Sequence, residues 1–126
     1  MQKDIYETSS APAPIGPYSQ AVGAGNLVFL SGQIALDPES GALLVSDVET
    51  ETHRIMKNIE AVLAAAGLGF ENIIKTSIFL KDMNDFAAVN AVYGDYFSDG
   101  FPARECVQVS VLPKQVNVEI SVIAAR

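Results

Sequence analysis

The final segment of the chain sets the tightest limit on its fold. Val118, Ile120, Val122 and Ala124 alternate with Asn117, Glu119, Ser121 and Ile123. Successive side chains of a strand point to opposite faces, so this segment has one apolar face and one semi-polar face. An apolar sheet face must be buried against another layer. The segment Glu105 to Leu112 repeats the pattern, with Val107, Val109 and Val111 on one side and Cys106, Gln108 and Ser110 on the other. The alternation predicts a helix-covered core on one face of the sheet. It assigns Arg104, Cys106 and Glu119 together to the second face.

Val48 to Ala66 supplies the cover. Val48, Ile55, Met56, Ile59, Val62, Leu63 and Ala66 fall on one stripe at helical spacing. Ser46 and Glu49 fit a capping box at its start, and Gly67 stands where a left-handed residue ends a helix. His53 and Lys57 lie on the opposite face, toward water. A second helix is expected from Asn84 to Ser98, with Phe86, Val89, Tyr93, Tyr96 and Phe97 on its apolar face. Gly94 weakens that helix by up to about 1 kcal/mol relative to Ala. Asn72 to Leu80 is rich in β-branched and aromatic residues and reads as a strand. Upstream, strands are expected at Asp4 to Thr8, Tyr18 to Val22 and Leu27 to Ile34, with turns at Gly23 to Asn26 and Asp37 to Gly41. Pro12, Pro14 and Pro17 make the stretch between the first two an ordered, extended connector.

This order of elements predicts an α+β fold, a mixed sheet with two helices packed on one face, forming a single domain over residues 1–126. With 49% hydrophobic residues the chain can fill a core without disulfides. Two helices cannot cover both faces of a sheet of about six strands. The uncovered face is therefore expected to meet another subunit, a ligand, or both.

Composition removes several functions. The longest apolar stretch, Val62 to Phe70, has nine residues and two glycines, far short of the roughly twenty that a membrane span needs. No apolar leader follows Met1, and the one cysteine, Cys106, cannot form an internal disulfide. Together these predict a reducing, cytoplasmic setting. A net charge of −7 with eight scattered basic residues argues against nucleic acid. Soft metal ligands are scarce, and one His and one Cys cannot build a four-ligand zinc site in one chain. Neither glycine-rich phosphate fingerprint is present.

Some residues could carry chemistry. Phe101-Pro-Ala-Arg104 places a guanidinium fork, suited to a carboxylate, at the entry to a strand. It equally suits a surface arginine paired with a neighbouring acid. Glu119, flanked by Val118 and Ile120, could act as a general base if half-buried, or simply face solvent or an ion-pair partner. Cys106 lacks a nearby base, because His53 sits on the outer face of the first helix, and reads as a small semi-buried thiol. Gly32 allows close approach of a ligand or another backbone. Ser31 lacks the strained setting of a hydrolase nucleophile. Tyr18 could present its hydroxyl from a rigid loop or pack in the core.

Taken in order, Ala13-Pro-Ile-Gly-Pro-Tyr-Ser-Gln-Ala21, Ser31-Gly-Gln-Ile34, Lys75-Thr-Ser-Ile-Phe-Leu-Lys-Asp-Met-Asn-Asp-Phe86, Val89-Asn90, Phe101-Pro-Ala-Arg104, Cys106-Val107, Leu112-Pro-Lys114 and Val118-Glu-Ile120 resemble the RidA (YjgF) family of reactive-intermediate deaminases. Each motif alone is weak; their ordered combination over nearly the whole chain is specific. The resemblance implies a chorismate-mutase-like α+β domain that assembles as a homotrimer with sites in clefts between subunits. It implies hydrolysis of 2-imino acids, or their enamine tautomers, to 2-oxo acids and ammonia, with neither metal nor cofactor. Arg104 would bind the substrate carboxylate and Glu119 would activate water. Ser31, Gly32 and the backbone at Cys106 would line the pocket, and Tyr18 and Asn90 would complete it. The sequence departs from the family pattern at Glu105, where a small residue is commoner, and at Ser121, where many members carry a second Glu. Glu105 is expected to point away from Arg104, because adjacent strand residues face opposite ways. Other readings are a non-catalytic binder of small carboxylates, a translation-inhibiting or RNA-directed protein, and a chaperone-like interaction protein.

Overall fold

The computed structural model describes residues 2–126. Six strands form one mixed sheet: β1 (Asp4–Tyr6), β2 (Ala21–Ala24), β3 (Leu27–Leu30), β4 (Ile73–Leu80), β5 (Ala103–Gln108) and β6 (Val118–Ala125). Helix α1 (Val48–Ala65) joins β3 to β4, and α2 (Phe86–Gly94) joins β4 to β5. The spatial order is β1-β2-β3-β6-β4-β5. All pairs are antiparallel except β4 with β5, the two strands linked through α2. A parallel pair needs a crossover of that kind. The first hairpin turns on Gly25 and Asn26, and Gly25 has φ 59°, the conformation that a two-residue turn asks of its first position.

Both helices lie on one face, as the apolar stripes require. Ile55, Met56, Ile59, Val62 and Leu63 of α1 and Val89 and Tyr93 of α2 pack on Val28, Ile78, Leu80, Val118, Ile120, Val122 and Ala124 of the sheet, all buried. The opposite face is open. Leu27, Phe29 and Val107 are exposed there, beside Ile123, Ser77, Ser121 and Glu119.

Several expectations are corrected. The cap of α1 is Asp47, whose carboxylate accepts from the Thr50 N–H at 2.7 Å, while the Ser46 hydroxyl turns toward that same carboxylate. A carboxylate at a helix N-terminus gains from the dipole as well as from the hydrogen bond. Helix α2 stops at Gly94, and Tyr96 and Phe97 pack beyond its end. Strand β3 ends at Leu30, and Gln33 rejoins the sheet only through a bridge to Ile120.

The largest correction concerns β5. Arg104 pairs with Thr76 and Cys106 with Ile78, and both β4 residues are buried beneath the helices. Arg104 and Cys106 therefore lie on the helix side. Glu119 pairs with Phe79 on the open side. The three residues do not share a face. The valines misled because β5 is an edge strand whose faces follow its register with β4, so Val107 is left 41% exposed on the open side. Glu105 does turn away from Arg104, onto the open face, where Lys75 pairs with it at 3.0 Å and the Ser77 hydroxyl donates to it.

One buried acid holds the central strand in place. Glu51, in the first turn of α1, is fully buried. Its carboxylate accepts from the Asn117 N–H at 2.8 Å, the Asn117 Nδ2 at 2.9 Å and the Val118 N–H at 2.9 Å. Glu51→Ala would leave these donors unpaired in the interior. Urea unfolding should show a loss of about 3 kcal/mol, and an unchanged midpoint would remove Glu51 from this role.

Candidate functional site

The sheet separates the residues singled out by sequence into two groups. On the open side, Tyr18, Ser31, Gly32 and Glu119 line a groove of about 340 Å³, together with Ile15, Ile34, Leu36 and Pro113. The proline-rich connector forms one wall. It lacks several backbone donors, so its shape depends on a side chain. Buried Gln20 accepts from the Thr8 N–H at 2.7 Å and donates to the carbonyls of Thr8 at 3.1 Å and Pro12 at 2.8 Å. Tyr18 stands on this connector, 48% exposed, and its hydroxyl accepts from the Ile15 N–H at 3.4 Å. The Ser31 hydroxyl donates to the Ser19 carbonyl at 2.6 Å, fastening the end of β3 to the connector.

Gly32 lies against the Glu119 carboxylate. A Cβ at position 32 would come within 2.0 Å of Glu119 Oε2. The close approach expected at Gly32 is thus made by the chain's own carboxylate. Burial pushes the Glu119 carboxyl above its ordinary range, and among the described residues it has no cationic partner. A carboxylate kept partly from water, without a counter-charge, holds a proton more tightly than a free one and so has the character of a proton acceptor.

On the helix side, Arg104 and Asn90 line a second groove of about 570 Å³ with Tyr93, Phe101 and Pro102. Arg104 donates to Asn90 Oδ1 at 2.5 Å. Its guanidinium carbon lies 5.2 Å from the centre of the Tyr93 ring and 5.7 Å from that of Phe86. Among the described residues it makes no ion pair. Cys106 is two residues along the same strand face. Burial pushes its thiol up, against the opposing pull of Arg104, and a thiol held protonated is a poor nucleophile. His53 is exposed, and its Nδ1 lies 2.8 Å from the Tyr96 hydroxyl.

The structure thus brings Glu119 together with Tyr18, Ser31 and Gly32, and Arg104 with Asn90, but keeps the two groups on opposite faces. Sequence reasoning missed Gln20 and Gln33, which lie at the first groove, and the part Phe86 and Tyr93 play beside Arg104. The spacing of Phe86, Asn90 and Tyr93, one face of a helix, held that last signal.

Comparison with known proteins agrees with this architecture. The family described as endoribonuclease L-PSP matches residues 8–126. A Salmonella typhimurium protein named 2-iminobutanoate/2-iminopropanoate deaminase is 48% identical, over 100% of this chain and 99% of that protein. The crystal structure of the yjgF gene product of E. coli superposes with a TM-score of 0.93 at 44% identity, covering 98% of each chain. That of E. coli TdcF with bound serine gives 0.94 at 44% identity, again covering 98% of each. No helix among the described residues is long and apolar enough to cross a membrane.

The raised Glu119 pKa has a measurable consequence. The folded state holds a proton that the unfolded chain releases near its ordinary value of 4.5. Stability from this group is therefore fully present below that value and falls as pH rises from it through the folded pKa. Glu119→Gln should lack this loss. Chemical denaturation of both proteins between pH 4 and 8 should show the variant gaining on the parent as pH rises from about 4.5. A constant difference would place the carboxyl at its ordinary value.

Proposed function

We propose that this chain, which belongs to the RidA (YjgF) family, hydrolyses 2-imino acids and their enamine tautomers to 2-oxo acids and ammonia. The observation that carries the reading is the pair of grooves. Among the described residues, one holds a half-buried carboxylate without a cation, the other a guanidinium without an acid. Each is half of a site for an α-imino carboxylate. The relatives named as deaminases and the serine bound to TdcF, itself an α-amino carboxylate, support a ligand of this class.

Because the two halves lie on opposite faces of one sheet, a complete site takes Arg104 from one copy and Glu119 from another. The open face, with its exposed Phe29, Leu27 and Val107, supplies apolar surface for that assembly, and a homotrimer is the arrangement we propose. The guanidinium of Arg104 would hold the substrate carboxylate with two parallel hydrogen bonds. That places the imine carbon beside a water held by Glu119. The water oxygen bonds to the iminium carbon as its proton passes to Glu119, giving a carbinolamine. Glu119 then returns the proton to nitrogen. As the C–N bond breaks, the hydroxyl oxygen forms the carbonyl of the 2-oxo acid and gives its proton back to Glu119, which passes it to the departing ammonia. An iminium is already electrophilic, so positioning and one proton shuttle suffice. Tyr18, Ser31, Gly32, Asn90 and the Cys106 backbone would line this cleft. The family description as an endoribonuclease finds no support in a chain of charge −7 with scattered basic residues.

The direct test generates a 2-imino acid with an amino-acid oxidase and traps what remains with semicarbazide. Arg104→Ala should lower kcat/KM roughly a hundredfold, and Glu119→Gln should lower kcat by about a hundredfold or more. Failure of the unaltered protein to speed loss of the imine would defeat the deaminase reading.

A second test addresses the shared site. Arg104→Ala and Glu119→Ala chains, each inactive alone, should regain about one quarter of full activity when co-expressed in equal amounts, since each of the two contributing copies is intact at its own position half the time. No recovery in confirmed mixed assemblies would mean that a single chain supplies both residues.

A further inference from the structure

We infer that Phe86 and Tyr93 are positioning residues that hold Arg104 as an unneutralised carboxylate receptor, so that α2 sets how tightly the site takes its anionic substrate. This rests on the reading of Arg104 as the carboxylate-binding group. Three observations carry it.

Phe86, Asn90 and Tyr93 recur at four- and three-residue spacing, so they line one face of α2 over two turns. All three meet the same guanidinium: the Tyr93 ring at 5.2 Å, the Phe86 ring at 5.7 Å, and Asn90 Oδ1 by a hydrogen bond. A long arginine side chain that is already held loses less freedom when its ligand arrives.

The Tyr93 ring is itself locked. It is 3% exposed, and its hydroxyl donates to Thr76 Oγ1 at 2.9 Å. Thr76 is the residue that pairs with Arg104 across β4 and β5. Phe97 packs on the far end of the cluster, 4.8 Å from the Tyr93 ring centre. The ring and the root of Arg104 are thus fastened to the same cross-strand pair.

The partners are also chemically selective. Arg126 and Lys75 are paired with Asp4 and Glu105, whereas Arg104 is held by a neutral amide and two aromatic faces. Rings attract the cation through their quadrupoles but offer no acceptor to compete for its N–H donors. A carboxylate in place of either ring would fill the receptor and cancel its charge.

The test measures binding of 2-oxobutanoate and of its neutral amide by calorimetry, with steady-state imine hydrolysis alongside. Phe86→Leu and Tyr93→Leu should each weaken 2-oxobutanoate binding and raise KM roughly three- to tenfold, with kcat held within about twofold. Binding of the amide should not change, a split that general damage to the fold would not produce. Tyr93→Phe, which keeps the ring, should restore most of the affinity. Should Tyr93→Leu fail to fold, the half-exposed Phe86 position decides the matter. If Arg104→Ala loses 2-oxobutanoate while Phe86→Leu binds it as tightly as the unaltered protein, or loses the acid and the amide equally, the positioning role is wrong. If the unaltered protein makes no distinction between acid and amide, or Arg104→Ala still binds the acid as tightly as the unaltered protein, the carboxylate reading of Arg104 falls, and this inference with it.

Discussion

The buried carboxylate of Glu51 governs more of this structure than any other single group. It accepts three hydrogen bonds at the point where β6 begins, and β6 lies between β3 and β4 in the middle of the sheet. Antiparallel pairing on both sides passes that register outward. A slip of one residue would turn Val118, Ile120, Val122 and Ala124 out of the core and Glu119 into it. Placing the acid in the first turn of α1 also sets its charge near the positive end of the helix dipole. One interaction thereby ties the covering helix to the strand whose alternation directs Glu119 to the open face.

Other buried polar groups do similar work on the loops. Gln20 replaces the bonds that the proline-rich connector cannot make for itself. Buried Asn58 donates to the carbonyls of Ile34 at 3.2 Å and Leu36 at 2.9 Å, fixing the segment that follows Gly32. Among the described residues these two hydrogen-bond to neither Glu119 nor Arg104, yet they shape the walls of the first groove. A groove built from loops keeps its form only when its backbone groups are satisfied. On the proposed reading, the chemistry is supplied by two charged side chains and the precision by uncharged ones.

Regular structure was legible where periodicity was strong. The stripe in α1, the left-handed Gly67 at φ 74° and the alternation of β6 all hold. Legibility failed where the deciding contact lay far along the chain. Glu51 meets Asn117 across 66 residues, and its local pattern marks it only as an acid near a helix start. The face presented by Arg104 depends on the pairing of β5 with β4, and a valine alternation on an edge strand cannot say which side the helices occupy. Gly32 was identified as a point of close approach, but the approaching group, Glu119, lies 87 residues on by subtraction of the two positions.

By itself, then, the sequence determined the α+β class and the two helices on one face. Local periodicity suffices for these, because 3.6- and 2-residue repeats are imposed by backbone geometry within each element. Only the tertiary structure decided that Glu119 and Arg104 stand on opposite sides of the sheet. That outcome follows from strand register, which arises from contacts between segments distant in sequence, and a shift of one position reverses every side chain it carries.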